Sequence, residues 1–166
     1  MKETLLFGRL GNKDTDIKYF KHLLPMDINK VVEPFGGSFS VIRNIYKDDK
    51  YEKVVNDNDK ELYEVYTHPE EYLKLKISTN NIILKHSTKM ENGNTVVCKN
   101  EKQKLFDEIN DDNTIDKKSL LYKHFMSSVT IVGMIKSTKN INCNSMVELM
   151  KKIKFTNTEY NDVLEK

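Results

Sequence analysis

The chain has 166 residues, 27 of them Lys or Arg and 25 Asp or Glu, which nearly cancel to +2. That length suits one domain with a substantial core, and the charge balance excludes the strongly basic footprint of a dedicated nucleic-acid coat protein, so any DNA contact has to come from a local patch. Cys98 and Cys143 lie far apart without a CxxC or a nearby paired histidine, so neither a zinc site nor a disulfide framework is indicated, and no apolar run approaches the roughly 20 residues of a membrane span. From Asp14 to Leu24 the apolar residues Ile17, Phe20, Leu23 and Leu24 fall at helical spacing and Pro25 closes the pattern, so a short amphipathic helix is expected to pack on a sheet. Lys30-Val31-Val32-Glu33 reads as a buried strand that ends in the glycine loop Pro34-Phe35-Gly36-Gly37. Ser38 to Tyr46 reads as a helix with Phe39, Ile42 and Ile45 or Tyr46 on one side. Tyr51 to Val55 reads as a second strand running into the acidic turn Asn56-Asp57-Asn58-Asp59, and a helix begins near Leu62.

This order of strand, glycine loop, helix, strand and acidic turn is a βαβ unit, whose parallel strands place both loops at one edge of the sheet. Between His68 and Lys118 the periodicity weakens at Pro69, at Glu91-Asn92-Gly93-Asn94 and at the acidic stretch Asp107 to Asp116, so an insertion with short helices is expected there. Leu121, Phe125, Val129 and Val132 recur at helical spacing within Ser119 to Ile135, and Gly133 weakens the end of that helix. Val147, Leu149, Met150 and Ile153 indicate a last helix, which leads into a short strand at Lys154-Phe155-Thr156-Asn157. His22, His68, His86 and His124 are scattered without ligand-like spacing and read as surface or hydrogen-bonded core residues.

A glycine loop after the first strand lets a ligand approach the backbone, and an acidic residue after the second can accept hydrogen bonds from ribose hydroxyls. Gly36-Gly37 and Asp57 are separated as such a pair requires, and together they imply an adenosine-containing cofactor. Each half alone has a plain alternative: the glycines as an ordinary strand-to-helix turn, the acidic run as a solvated turn or helix N-cap.

Val32-Glu33-Pro34-Phe35-Gly36-Gly37-Ser38-Phe39-Ser40-Val41 resembles the cofactor loop of the Dam-type adenine-N6 DNA methyltransferases, approximately Val-Glu-Pro-Phe-x-Gly-x-Gly-Ser-Val. Asn56-Asp57-Asn58-Asp59-Lys60-Glu61-Leu62 resembles their Asn-Asp-x-Asn-x-Asp-Leu turn. Gly11-Asn12-Lys13, a helix and Leu24-Pro25 follow the order of their opening segment. Asn157-Thr158-Glu159-Tyr160 is similar to an Asn-x-Asp-Phe/Tyr element whose acidic residue lies near the cofactor's adenine. The resemblance covers the first 66 residues well and the remainder loosely. It implies an α/β fold with a mostly parallel sheet of the S-adenosylmethionine-dependent methyltransferase (Rossmann-like) type, incomplete and carrying a helical insertion. Residues 1–66 form the cofactor-binding βαβ part of one domain spanning 1–166, residues 67–150 the insertion and a candidate DNA-recognition region, and residues 151–166 a return toward the sheet. It further implies S-adenosylmethionine as cofactor, double-stranded DNA as partner, and Arg9, Lys13, Glu33, Pro34, Phe35, Gly37, Asp57 and Glu159 as cofactor-binding residues, with Asp57 on the ribose.

Three departures accompany the resemblance. Phe39 stands where a second glycine is usual and has the bulk to narrow the space for methionine, and Arg9 stands where an aromatic is usual. The family's Asp-Pro-Pro-Tyr, which grips the flipped-out adenine, has no counterpart, since the prolines are Pro25, Pro34 and Pro69. No residue is therefore named catalytic and no metal is implied. Two readings stay open. In the first the chain is the front part of such an enzyme, as a fragment or as a split half completed by a second chain, soluble and intracellular, binding cofactor with little or no turnover alone. In the second it is a catalytically inactive structural or interaction module descended from one.

Overall fold

The computed structural model describes residues 6–7, 13–90, 95–130, 143–160 and 162, which belong to two compact units, one from residues 5–69 and 144–166, the other from residues 1–4 and 70–143. The first unit is built on a parallel sheet of β1 (Lys30–Glu33), β2 (Glu52–Asn56) and, much later in the chain, β5 (Lys154–Thr156), in the order β1-β2-β5. Val32 pairs with Val54 and Glu33 with Val55, while Val55 pairs with Phe155 and Asn56 with Thr156. Val54 and Val55 make the central strand apolar, and Lys53 is buried among them with its Nζ donating to the Tyr51 carbonyl at 3.1 Å.

The helices of this unit follow from local chemistry. α1 (Ile17–Phe20) is one turn long and tightens into a 3₁₀ turn at Lys21–Leu23. The change from roughly 3.6 to roughly 3 residues per turn carries Leu23 off the face of Ile17. Ile17 is buried, but Leu23 is 73% exposed and does not join the sheet as its spacing predicts. α2 (Ser40–Asn44) starts two residues later than expected, because Phe39 adopts a left-handed conformation (φ 38°, ψ 48°) from which a right-handed helix cannot run. α3 (Lys60–Thr67) starts where Asp59 caps it, accepting from the Glu61 and Leu62 amides at 3.0 and 3.2 Å.

The second unit contains α4 (Pro69–Lys85) beyond its first residue, the antiparallel hairpin β3 (Ser87–Lys89) and β4 (Thr95–Val97), α5 (Lys102–Asp111) and α6 (Leu120–Thr130). The expected interruption at Pro69 is a helix start. At the first helical position proline lacks only an amide that has no intrahelical acceptor. Tyr72, Thr79, Ile82 and Ile83 form a buried face of α4, and Leu121 and Phe125 are buried on α6. His124 is buried with its Nδ1 3.1 Å from the Tyr72 hydroxyl. Val132 and Gly133 lie outside the described residues. The first unit is completed by α7 (Asn144–Met150), which buries Met146, Val147 and Met150 and leads through Ile153 into β5. Phe7, Phe39, Tyr66 and Phe155 form its aromatic core, with ring centroids 4.5–6.2 Å apart. Among the described residues no helix is long and apolar enough to cross a membrane.

Candidate functional site

The three parallel strands end together, and open sheets of this kind bind ligands beyond the carboxyl ends of their strands. After Glu33 the chain folds back against β2, where the Gly36 amide donates to the Asn56 carbonyl at 2.7 Å. A methyl group at Gly36 would lie 2.4 Å from Val55 Cγ1 and 2.8 Å from the Tyr66 hydroxyl, so the approach is open to glycine alone. Gly37 takes a left-handed conformation (φ +49°), and its substituent position meets nothing within 4 Å. Its amide donates to Asp57 Oδ2 at 3.0 Å and its carbonyl accepts the Tyr66 hydroxyl at 2.6 Å. Asp57 Oδ1 accepts the Asp59 amide at 3.1 Å, so this one carboxylate ties the glycine loop to the acidic turn.

Glu33 ends β1 beside the same loop. Its Oε1 accepts the amides of Val41 and Ile42 at 2.8 and 3.3 Å, holding the first turn of α2, while its buried Oε2 has no hydrogen-bond partner among the described residues. Burial pushes the carboxyl up to about 7, against the opposing pull of the two amides and of Arg43. The Arg43 guanidinium is engaged by Asp14, which also accepts from Asn44 Nδ2 at 3.0 Å. This contact anchors the segment that carries Lys13.

Lys13, Glu33, Pro34, Phe35 and Gly37 line one cavity of about 450 Å³, with Leu24, Val32, Ser40, Val41 and Tyr46 on its other walls. The Tyr46 hydroxyl fixes the Leu24-Pro25 wall by donating to the Pro25 carbonyl at 2.7 Å. Phe39 is absent from this lining. Its ring is fully buried against Phe7, Tyr66 and Phe155, so it does not narrow the cavity as its position in the sequence predicts. The left-handed backbone at Phe39 accompanies this placement of the ring in the core.

Asp57 touches the loop without lining the cavity, and Glu159 is exposed beyond the end of β5. Next to Glu159, the Tyr160 ring stacks on exposed Phe35 with centroids 4.8 Å apart and planes 11° from parallel. Arg9 lies outside the described residues.

Asn56 was not a candidate from sequence, yet it joins the strand ends. Its Nδ2 donates to the carbonyls of Pro34 (3.3 Å) and Thr158 (3.0 Å), and its Oδ1 accepts the Thr158 amide (3.0 Å) and the Thr156 hydroxyl (2.8 Å). Asn157 Nδ2 adds a bond to the Asp57 carbonyl at 2.6 Å. Most of these partners lie about 100 residues downstream, so no local pattern signals the role.

The groups assembled here suit binding: a largely buried carboxylate, a backbone loop shaped by two glycines, and an exposed aromatic pair at the rim. Among the described residues no cluster of His, Cys, Asp and Glu is suited to a metal ion. A search of curated proteins finds no match to the chain. The sequence model of the D12 class N6 adenine-specific DNA methyltransferase family matches residues 10–166.

Proposed function

The chain belongs to the D12 class N6 adenine-specific DNA methyltransferases, and from that premise we propose that it binds S-adenosylmethionine in the cavity beside the glycine loop. The family uses this cofactor and acts on DNA. The observation that carries the reading is the joining of Gly37 and Asp57 at 3.0 Å on the same edge where Glu33, Pro34 and Phe35 line the cavity. The group fits the residues present. About 450 Å³ falls within the roughly 300–1,000 Å³ of ligand pockets, Phe39 is turned into the core, and a buried carboxylate oxygen without a hydrogen-bond partner among the described residues suits a ligand bearing a cationic sulfonium and ammonium.

When bound, the cofactor supplies a methyl group activated by its sulfonium. The chain's residues have binding roles. Glu33 and the Gly37 backbone hold the methionine end, Asp57 accepts a ribose hydroxyl while keeping the loop in place, and Phe35 and Glu159 meet the adenine. Lys13 lines the cavity, and Arg9 is assigned to cofactor binding on the resemblance alone. DNA recognition is assigned to residues 67–150, most of which, 70–143, belong to the unit that contributes nothing to the cavity lining. An Asp-Pro-Pro-Tyr motif supplied by polypeptide outside these 166 residues, such as a second chain, would complete a site for adenine.

Two observations favour the second reading, a structural module without turnover. Both Asp57 carboxylate oxygens already accept backbone amides, and Phe35 and Tyr160 stack on each other. Titration calorimetry with S-adenosylmethionine on the wild-type chain and on Asp57→Ala separates the two. Saturable binding that is lost in the variant supports the cofactor site, and no binding by a folded wild-type chain leaves the module.

A further inference from the structure

We propose that Asp14 and Arg43 are positioning residues of the cofactor cavity: Asp14 holds the Arg43 guanidinium in a separate ion pair, so that Glu33 takes its counter-cation from the ligand. The inference rests on the cofactor reading above and names what that site selects for, a cationic group at the end of β1.

Two buried atoms without hydrogen-bond partners among the described residues, Glu33 Oε2 and Arg43 Nε, belong to residues of opposite charge on the same cavity wall and the adjoining helix. In most buried settings such a carboxylate and guanidinium would pair bidentately. Here the terminal Nη2 of Arg43 is bound to Asp14, and the side chains of both partners are mostly shielded, at 16% and 29% exposed. Asn44 adds a second hold on Asp14 from the same helix. Glu33 meanwhile spends its other oxygen on two amides of α2.

Among the described residues, three further charged or titratable groups lie near it. Lys13, ahead of α1, and Tyr46, just after α2, share the cavity wall. Lys13 is mostly exposed and pairs with Asp16 at 3.9 Å. Asp57, after β2, is bonded to Gly37 on the opposite side of the loop. Among the described residues Arg43 is thus a cation that pulls on Glu33, after burial and the two α2 amides in strength, and Asp14 holds its guanidinium. Burial is the chief cause of the high proton affinity of Glu33, and Arg43, held by Asp14, opposes it only weakly.

The test is ¹³C NMR titration of the Glu33 carboxyl in the ligand-free full chain, beside S-adenosylmethionine affinity measured from pH 5 to pH 8. Asp14→Asn removes the charge but keeps an acceptor for Asn44 and Arg43, so the fold is retained. It is expected to lower the Glu33 midpoint, and Arg43→Met is expected to raise it. Wild-type affinity is expected to rise about tenfold per pH unit below the Glu33 midpoint and to level off above it. The inflection should move with the midpoint in both variants and vanish in Glu33→Gln. A Glu33 midpoint unmoved by either substitution overturns the inference. Tight binding that ignores pH overturns it too, while leaving the cofactor reading intact. Absence of binding at every pH overturns both.

Discussion

At the scale of single residues, Glu33 predicts how stability responds to pH. Its carboxyl titrates near 7 in the folded chain against an ordinary 4.5, so the folded state holds the proton more tightly than the unfolded one. Stability should therefore fall as pH rises from about 4.5 to about 7 and stay level above, a contribution of roughly 3 kcal/mol. Urea unfolding of wild type and Glu33→Gln at pH 5 and pH 7.5 isolates it, since the difference between the two proteins should carry this slope. The two glycines of the loop are expected to respond differently to alanine. Gly36→Ala forces a methyl against Val55 and Tyr66 and should cost about 1–3 kcal/mol as an overpacked site. Gly37→Ala meets no atom and bears only its left-handed backbone, roughly 1–2 kcal/mol. If cofactor affinity depends on how closely the loop approaches β2, Gly36→Ala should weaken it more than Gly37→Ala. Phe39 also occupies left-handed space, but its ring lies at the centre of the aromatic core. Phe39→Gly, which restores the residue usual in the family, should therefore destabilise the unit through the lost burial.

At the scale of elements, the Asn56 side chain reinforces the ends of β2 and β5 beyond their backbone pairing. Asn56→Ala removes the bonds to Pro34, Thr156 and Thr158 together. It should cost about 1–3 kcal/mol, because part-buried carbonyls and an amide lose their partners, and it should loosen the Phe35–Tyr160 stack, read as faster amide exchange at Thr158 and Tyr160. Here the limits of the sequence are plain. The run from Lys30 to Leu62 is legible because each cue is local: a valine pair, two glycines, a short helix and an acidic turn. Asp59 caps α3, the plain reading of that turn, while Asp57 braces the glycine loop. The work of Asn56 is hidden because its partners lie so far downstream. α4 is hidden because Pro69 reads as a break when its neighbours are unknown, although its position at the helix start makes it harmless. The direction of the Phe39 ring depends on a backbone angle that no residue pattern announces.

At the scale of the whole molecule, the cavity belongs to a unit whose sequence is interrupted by residues 70–143. A chain ending at Cys143 would lack α7 and β5 and leave Asn56 without its partners on Thr156 and Thr158. Such a chain should lose S-adenosylmethionine binding by calorimetry even where its remaining helices still give a far-ultraviolet dichroism signal. Conversely, a full chain held at about 100 times its dissociation constant in cofactor should gain about 2.7 kcal/mol against unfolding, a gain that a merely adsorbed ligand would not give. The pairing of β2 with β5 also has a consequence for synthesis. About 100 residues separate the partners, and a ribosome adds about 5–20 residues per second. For roughly 5–20 s after β2 emerges, the nascent chain carries a valine-rich parallel strand with one edge uncovered, the time in which a chaperone has most to do for this protein.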